Sequence, residues 1–407
     1  MREKSVLRLL FFIREEFPTY RPDVSVLFGK YLPKVGVLSD LVARRGAKTL
    51  QLSEQWPAGK TLIVERRTGR IANQLYGILH DVRILLGLSR GQYDAVQVRD
   101  KVFAATLALW IAHRRGIRFF YWMSFPINES AIWVARAHGL SLGAARYAYM
   151  MLRGHIGKFL LYRVVAPRAD FVFVQSEKMR RDIAARGIPI ERTMAVPMCV
   201  DPERFPENPS APITESFAGR EVVAYLGTCE RMRRIEFLLD VVATLKKTHP
   251  NILLLLIGNA IEEEDRTRLR NQVKQRGCEQ HVLITGWLNP TEAQAYLASA
   301  RLAYALMAPD PILDSTTPTK LVEYMAMSKA VVANEHPDQS LLLTESQGGY
   351  CVPFDVQSFV AATIKLLDDP ARAIEMGARG RSYVLRHRSY PIMAQRLAEA
   401  YRSLLAH

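Results

Sequence analysis

The sequence predicts an α/β protein with two facing doubly wound, Rossmann-like domains, a cleft between them and a C-terminal helix. The chain has 407 residues, a length that favours two domains. Short apolar runs alternate with amphipathic stretches, which is typical of parallel sheets covered by helices on both faces. A stretch with four prolines and no apolar periodicity, 202–217, interrupts this alternation and predicts a linker.

The linker divides the chain into a domain at 1–205, a linker at 206–219 and a second domain at 220–385. A helical segment at 386–407 is expected to pack back on the first domain. Apolar runs predict strands of the first domain at 23–28, 49–53, 61–65, 95–98, 119–122, 171–175 and 194–198. Helical patterns lie at 38–46 and at 101–116, and the second of these ends in basic residues and a glycine.

The second domain repeats the alternation of strands and helices. Apolar runs predict its strands at 222–227, 252–258, 281–286, 302–307 and 330–334. A helix is predicted by a stripe of Ile235, Leu238, Leu239, Val242 and Leu245, and a closing helix at 391–405. Ligands of such sheets lie beyond the carboxyl ends of the strands, so the cleft between two facing sheets is the expected site.

The charge balance indicates an anionic partner. The formal net charge is +15, the sequence pI is about 9.7, and hydrophobic residues make up 49% of the chain. A basic chain with enough apolar residues for real cores favours nucleic acid, an anionic membrane face or phosphorylated substrates as partners, without choosing among them.

The cysteines and the N-terminus favour a reducing, cytoplasmic environment. The four cysteines, Cys199, Cys229, Cys278 and Cys351, are far apart and form no metal-binding spacing, so neither a disulfide framework nor a zinc site is expected. The N-terminal apolar run is interrupted by Arg8 and has no small-residue cleavage site, so secretion is not expected. No apolar run approaches the roughly 20 residues of a membrane-spanning helix.

The stretch STTPTKLVEYMA, 315–326, carries a lysine and a glutamate near a predicted helix start. Thr316 or Thr317 is suited to cap this helix and Pro318 to its first turn. Free backbone amides at a helix start attract anions, and Lys320 adds a full positive charge. Glu323 lies three residues on, where it suits sugar hydroxyls better than a phosphate. The spacing alone also allows an ordinary surface ion pair.

A second basic stretch follows the first strand of the second domain. Gly227 ends that strand, and Arg231, Arg233 and Arg234 come within seven residues of it. Positive side chains at a helix N-terminus oppose the helix dipole, and a bound anion would remove that cost. Arginine also binds phosphate oxygens in a bidentate manner. A solvated basic helix start is the alternative.

Together these stretches resemble glycosyltransferase family four, the retaining enzymes of the GT-B fold. In that family a strand, a glycine and a loop carry a basic pair for the donor diphosphate, and Arg233 stands where the family has its lysine. Glu323 matches the second glutamate of the family's paired motif, which implies a role on the ribose hydroxyls. PTKLVEYMAMSKAVVA resembles the subgroup that works on bacterial surface polysaccharides, and the similarity covers most of the chain.

Two positions depart from the family's pattern. Thr228 stands where the family has an arginine, and Arg231 is the expected substitute. Ser315 stands at the first glutamate, so Asp314 or Asp310 is expected to contact the sugar of the donor instead.

The resemblance implies further binding positions. The diphosphate is expected to contact Arg231, Arg233, Lys320, Thr316, Thr317 and Thr319. The ribose and sugar are expected near Glu323, Ser315 and Asp314, and the nucleobase near Gly258, Gly286, Trp287 and Leu288. Gly36, in a stretch at 31–46 that resembles the family's acceptor loop, and Ser124 are the acceptor-side candidates.

The family's chemistry implies neither a cofactor nor a metal ion. The leaving diphosphate itself helps to deprotonate the acceptor hydroxyl, and no protein nucleophile stands out in the sequence. Catalysis then comes mostly from Arg233, Lys320 and Glu323 holding the donor and stabilising developing charge. The substrates implied are a UDP- or GDP-sugar and a saccharide acceptor, lipid-linked if the protein lies on a membrane.

The stretch from 130 to 169 contains no Asp or Glu. Six basic residues lie in it: Arg136, Arg146, Arg153, Lys158, Arg163 and Arg168. Leu152, Ile156, Phe159 and Leu160 form part of an apolar stripe there. This pattern suits a helix pair on an anionic bilayer face, and equally a stripe that packs on its own domain beneath solvated charges.

Other functions stay open on the sequence alone. A sugar-nucleotide epimerase shares the two-domain architecture, although it needs paired proton-transfer groups that are not evident here. A basic nucleic-acid-binding or lipid-binding protein is a second alternative, although no nucleic-acid motif is recognised. A relative that binds nucleotide without turnover is a third.

Overall fold

The protein forms two compact units, which were analysed in a computed structural model. The structure describes residues 6–46, 55–206 and 217–406. The first unit contains residues up to Pro197 together with those from Tyr390 onwards, and the second runs from Met198 to Ser389. The predicted boundary at 205 thus falls inside the second unit. Of the predicted linker at 206–219, residues 207–216 lie outside the described residues.

The first unit is built on a seven-stranded parallel sheet with the order β3-β2-β1-β4-β5-β6-β7. Its strands are β1 Leu7–Phe17, β2 Val37–Arg45, β3 Thr61–Val64, β4 Ala95–Arg99, β5 Arg118–Met123, β6 Phe171–Val174 and β7 Thr193–Ala195. Every residue of β4 and of β6 is buried, as expected for strands covered on both faces. The strand order reverses between β1 and β4.

Helices cover this sheet. They are α1 Leu32–Lys34, α2 Arg70–Leu86, α3 Val102–Arg114, α4 Ile127–His138, α5 Ala144–Phe159, α6 Ala166–Arg168, α7 Glu177–Ala184 and, from the end of the chain, α15 Tyr390–Leu405. Two wider π-helical segments, Asp23–Tyr31 and Leu160–Val165, lead into α1 and α6. Among the described residues, no helix combines the length and apolarity that crossing a bilayer requires.

The last helix is part of the first unit. It packs against the segment Asp23–Tyr31, and the buried Tyr401 hydroxyl donates a 2.5 Å hydrogen bond to Oε1 of Gln97 on β4. The Tyr401 ring also lies 5.2 Å from the ring of Phe173. The unit is therefore assembled from two chain segments that are separated by the whole of the second unit.

The second unit has a six-stranded parallel sheet with the order β10-β9-β8-β11-β12-β13. Its strands are β8 Glu221–Leu226, β9 Ile252–Ile257, β10 Val282–Ile284, β11 Leu302–Ala305, β12 Ala330–Asn334 and β13 Gly349–Val352. Its helices are α8 Glu236–Leu245, α9 Glu263–Gln275, α10 Pro290–Ala298, α11 Thr319–Ala326, α12 Pro337–Ser346, α13 Val356–Leu367 and α14 Pro370–His387. The order reverses between β8 and β11, which is the position where such sheets bind ligands.

Two predicted elements of the first unit are wrong. The segment 23–28 is helical, because Val24, Leu27 and Phe28 are buried at helical spacing after Pro22. The segment 38–46 belongs to strand β2, which hydrogen-bonds between β1 and β3 and buries Val37, Ser39 and Leu41 on one face. Its leucines happen to match a helix stripe, and pairing in the sheet overrides that local pattern. The predicted strand 49–53 lies outside the described residues.

Candidate functional site

Two glycines shape the reversal point of the second sheet. Gly227 directly follows β8 with a φ of 144° and Gly258 directly follows β9 with a φ of 135°, a backbone region that favours glycine. A Cβ atom on Gly258 would overlap the carbonyl oxygen of Gly227, and one on Gly227 would overlap the side chain of Lys320. Glycine at both positions therefore brings a lysine amine directly over the end of strand β8.

Lys320 lies in the first turn of α11, partly buried beside Tyr225. Its Nζ donates a 3.0 Å hydrogen bond to the Tyr225 hydroxyl and lies 4.8 Å from the centre of that ring. Burial and, to a smaller extent, the nearby charge of Arg233 lower the pKa of Lys320 to about 7, while Glu323 opposes both effects. An ammonium group under these conditions gains from any anion that binds next to it.

The carboxylate of Glu323 is close to positive charges but forms no direct contact with one among the described residues. No ion pair or hydrogen bond of its carboxylate occurs within the described chain, so the simple ion pair with Lys320 that the spacing also allowed is absent. Burial raises the pKa of Glu323, whereas the charges of Lys320 and Arg204 lower it. The carboxylate is thus surrounded by positive charge without being neutralised by direct contact, which leaves its acceptor oxygens available to hydroxyl groups.

The basic loop after β8 brings one arginine into this group. The buried Nε of Arg233 has no hydrogen-bond partner among the described residues, and its charge acts on both Lys320 and Tyr225. Arg231 is exposed, and its backbone amide donates to Oδ2 of Asp265 at 3.3 Å. Arg234 follows in the left-handed region with a φ of 51°. A buried guanidinium nitrogen without a hydrogen-bond partner is costly, and an anionic ligand would supply one.

The start of α11 differs from the predicted capping arrangement. The helix begins at Thr319, Pro318 occupies the N-cap, and no side chain caps the helix. Thr316 donates its hydroxyl to the Leu313 carbonyl at 2.6 Å instead, and Thr317 is buried. The first amides of the helix still lack carbonyl partners within it, as at every helix start. The anion-binding character of this turn therefore depends on the backbone and Lys320.

A tyrosine fixes this helix to the sheet. The hydroxyl of the buried Tyr324 accepts a hydrogen bond from the Leu226 amide at 2.8 Å and donates to the Leu226 carbonyl at 3.3 Å. The contact joins α11 to the last residue of β8 and so sets the distance between Lys320 and Gly227. Sequence reasoning missed this role because the two residues are 98 positions apart.

The loop before α11 is also held from a distance. His336 donates from Nε2 to the Leu313 carbonyl at 3.0 Å while its Nδ1 accepts from the Asp338 amide. Asp310 accepts from the Ile312 amide at 2.8 Å, so its carboxylate stabilises a turn. Ser315 is buried at the end of this turn, and Asp314 is partly buried beside it. Two aspartates were considered as substitutes for the missing glutamate. Because Asp310 is engaged in the turn, Asp314 is the more available of the two to a ligand.

The base-side candidates follow the ends of β9 and β10. The Gly258 amide donates to the Thr285 hydroxyl at 3.2 Å, and Gly286 has a φ of 78°. The Trp287 side chain is 57% exposed, while Leu288 packs against the core. This end of the sheet thus presents an exposed aromatic ring and backbone groups, which suits a flat ligand.

The two acceptor-side candidates lie at opposite edges of the first sheet. Gly36 precedes β2 and accepts from the amide of Leu7 at 2.9 Å, which is the amino edge. Ser124 follows β5 at the carboxyl edge. The structure therefore does not bring them together. A cavity of about 630 Å³ also opens at the amino edge, beside Arg8 and Tyr93, away from the strand ends where ligands were expected.

Ser124 belongs to a buried polar cluster at the reversal point of the first sheet. Its amide donates to Oδ1 of Asp100 at 2.9 Å and its hydroxyl to Oδ2 of the same carboxylate. Burial raises the pKa of Asp100 to about 6, against the lowering effect of Arg99. Arg99 is fully buried and forms ion pairs with Glu15 and Asp23. Sequence reasoning identified only Ser124, because the other members of the cluster come from three separate segments.

Two family models match the chain. The model described as "Glycosyl transferase 4-like domain" matches residues 39–199, and the one described as "Glycosyl transferases group 1" matches residues 209–383. Between them they span most of both units. No curated protein sequence matches the chain.

Several solved structures share the fold over nearly the full length of the chain. Anabaena Alr3699/HepE in complex with UDP is 16% identical, with a TM-score of 0.70 over 98% of this chain and 100% of that one. Sucrose-phosphate synthase from Thermosynechococcus elongatus is also 16% identical, with a TM-score of 0.69 over 98% and 99% of the two chains. A glycosyltransferase from Rickettsia africae is 12% identical, with a TM-score of 0.69 over 98% of each chain. At these identities the likeness concerns the fold.

Proposed function

Because this chain belongs to the GT-B glycosyltransferases of the family-four type, we propose that it moves a sugar from a UDP- or GDP-sugar to a saccharide acceptor with retention of configuration. The observation that carries the proposal is the group formed by Lys320, Glu323 and Arg233 at the reversal point of the second sheet. All three are ionisable, and none is neutralised by an ion pair among the described residues.

The donor's chemistry fits this group in three parts. The diphosphate binds Lys320, Arg233 and Arg231, which supply positive charge, and the backbone amides at the start of α11, which lack carbonyl partners within the helix. Glu323 accepts hydrogen bonds from the ribose hydroxyls, and Ser315 and Asp314 lie on the side of the transferred sugar. The nucleobase stacks near Trp287, between Gly258 and the 286–288 turn. The UDP in the Anabaena complex is consistent with a donor of this class.

Catalysis in this proposal is mostly electrostatic. The bond between the sugar and the diphosphate breaks, the acceptor hydroxyl attacks the same face, and its proton passes to the departing phosphate. Lys320 and Arg233 stabilise the charge that develops on that phosphate. Replacing either by an uncharged residue should lower kcat by roughly 100- to 1000-fold, by analogy with donors of an oxyanion hole.

The proposed mechanism needs no metal ion, since Lys320 and Arg233 supply the positive charge. Full turnover in the presence of EDTA is the expected result. Complete loss of turnover in EDTA, restored by adding a divalent ion, would assign the neutralisation of the diphosphate to that metal.

The acceptor in this proposal is a lipid-linked saccharide of a bacterial surface polysaccharide or glycolipid. The acid-free stretch at 130–169 supports attachment to the inner face of the membrane, because basic and apolar side chains alternate there without opposing acids. The purified protein should float with anionic liposomes and not with neutral ones. Equal behaviour with both would remove the membrane from the proposal and leave a soluble acceptor.

Donor binding is the first property to test. A thermal-shift panel with UDP, GDP, ADP, CDP and their sugars should raise the midpoint for one base, since a ligand at 100 times its Kd adds about 2.7 kcal/mol. Glu323→Ala should lose this shift. Glu279→Ala removes an exposed acid of the same unit and should keep it. If no nucleotide raises the unfolding midpoint, the chain has the fold but does not bind the proposed donor.

A further inference from the structure

Helix α5 exposes an apolar stripe. Tyr149, Leu152, Ile156 and Phe159 recur at helical spacing, and their side chains are 52%, 63%, 42% and 61% exposed. The opposite face packs on α4, where a Cβ atom on Gly154 would lie 2.6 Å from Cγ1 of Ile132. The helix therefore packs its small residues against its own unit and leaves these four large apolar side chains largely exposed.

A basic pocket adjoins the end of this stripe. It has a volume of about 610 Å³, and its wall includes His155, Lys158, Arg163 and Arg186 together with Phe159. The side chains of His155, Lys158 and Arg163 form no ion pair or hydrogen bond within the described chain. Phe159 belongs to both features, so the pocket and the apolar stripe are continuous.

One arginine of the pocket is held in place in advance. Nη1 of Arg186 donates to Glu129 at 2.6 Å, and its guanidinium lies 4.1 Å from the centre of the Tyr162 ring. Tyr162 is buried, and burial raises the pKa of its hydroxyl. Arg186 thus needs little reordering to receive a ligand. Glu129 is the acid in contact with it, so the pocket keeps a clear excess of positive charge.

We propose that this pocket binds the phosphate of an anionic phospholipid while the stripe of α5 enters the boundary between headgroups and acyl chains. A phosphate suits the pocket because guanidinium and ammonium groups bind its oxygens by charge-assisted hydrogen bonds. A lipid suits it better than a free metabolite, because the phosphate would sit next to four exposed apolar side chains. The inference rests on the membrane attachment proposed above and assigns it a specific contact.

The test compares two double variants of equal charge. Lys158→Gln with Arg163→Gln removes two pocket cations, and Arg146→Gln with Arg153→Gln removes two exposed cations of α5 that lie outside the pocket. Flotation is measured with phosphatidylcholine vesicles that contain phosphatidylglycerol or phosphatidic acid, adjusted to equal zeta potential. Each cation near the surface contributes about fivefold to partitioning. The control should lose at most about 25-fold, and the pocket variant more than that, because its cations also bind the phosphate directly.

Two further experiments distinguish a phospholipid headgroup from a free phosphate compound as the ligand of the pocket. Glycerol 3-phosphate at millimolar concentration should weaken vesicle binding of the native protein and leave the pocket variant unaffected. Leu152→Ser with Ile156→Ser changes two stripe residues that do not line the pocket, and it should abolish flotation and leave protection by glycerol 3-phosphate in a thermal shift intact. Equal losses in the two charge variants would overturn the pocket in favour of diffuse electrostatics. Protection by glycerol 3-phosphate with unchanged flotation of the stripe variant would overturn the lipid as the ligand.

The results of these vesicle experiments do not depend on the donor site. All the variants should keep the thermal shift with the donor nucleotide, because the pocket and the stripe belong to the first unit and the donor group to the second. Loss of that shift would indicate misfolding, and the single substitution Lys158→Gln would then replace the double variant.

Discussion

The ammonium group of Lys320 is held in a position that favours its neutral form. Burial and the charge of Arg233 lower its pKa to about 7, and Glu323 opposes them without contacting it. A bound diphosphate favours the charged lysine. Binding at a pH above about 7 should therefore take up a proton, and affinity should fall as the pH rises above that value, by up to tenfold per pH unit.

Calorimetry measures this proton directly. A nucleotide-sugar should be used, because its diesterified phosphates do not titrate near neutrality. At pH 8, heats in two buffers of different ionisation enthalpy should indicate the uptake of nearly one proton, and at pH 6 almost none. Lys320→Arg keeps the charge at every pH and should remove the uptake. The same uptake in this variant would assign the proton to another group.

Arg234 carries backbone strain that glycine would relieve. Its φ of 51° lies in the left-handed region, which costs a non-glycine residue roughly 1–2 kcal/mol. Arg234→Gly should therefore raise the free energy of unfolding by about 1 kcal/mol. Arg231→Gly removes the same charge at a position without a positive φ and should lower it. Urea unfolding measures the free energy of unfolding of both variants. Equal changes in the two variants would contradict backbone strain at Arg234.

The charged members of the candidate site were visible in the sequence, and their supports were not. Arg233 and Lys320 stand next to a strand-ending glycine and a helix start, patterns that local chemistry explains. Arg204, Tyr324 and His336 act on residues far along the chain, so no local pattern could indicate them. The prediction that Thr316 caps α11 is wrong because its hydroxyl donates to the carbonyl of Leu313, three residues earlier.

At the scale of elements, the ends of β8 and β9 are set by close backbone contact. In Gly258→Ala, alanine must adopt the positive φ, which is unfavourable. Its Cβ atom also overlaps the carbonyl oxygen of Gly227, a backbone atom that cannot easily move. Gly286→Ala has a positive φ with nothing within 4 Å. The first should cost about 2–5 kcal/mol and the second about 1–2. Thermal unfolding measures both, and a Gly258→Ala variant as stable as Gly286→Ala would contradict the contact.

The buried strands were the most predictable elements. The run ILLLLIG fits β9 because each of its residues Ile252–Ile257 is buried, so nothing competes with the apolar signal. β1 was missed because its sequence, LRLLFFIREEF, mixes an apolar run with charges at both ends. Its Glu15 pairs with the buried Arg99 of β4, a contact that only the folded sheet creates. β2 was misassigned because short apolar segments match both periods.

At the scale of the whole molecule, the buried hydrogen bond from Tyr401 to Gln97 helps to join two distant segments of the first unit. Tyr401→Phe leaves the buried Oε1 of Gln97 without its donor and should cost about 1–3 kcal/mol. Hydrogen exchange should become faster in β4 and α15. Exchange in β8 and β9, and the thermal shift with the donor, should stay unchanged. Faster exchange throughout both units would instead indicate that they unfold together.

The discontinuity of the first unit also bears on how the protein is made. During synthesis β4 leaves the ribosome long before α15, since Gln97 and Tyr401 are 304 residues apart. Until translation is nearly complete, the apolar surface around Phe120 and Phe173 lacks the Tyr401 side chain that packs on it, and the nascent chain exposes that surface to chaperones. A fragment that stops at Pro197 would expose the same apolar surface. Expression of the first unit alone therefore calls for 390–405 to be fused behind 197 through a short flexible linker.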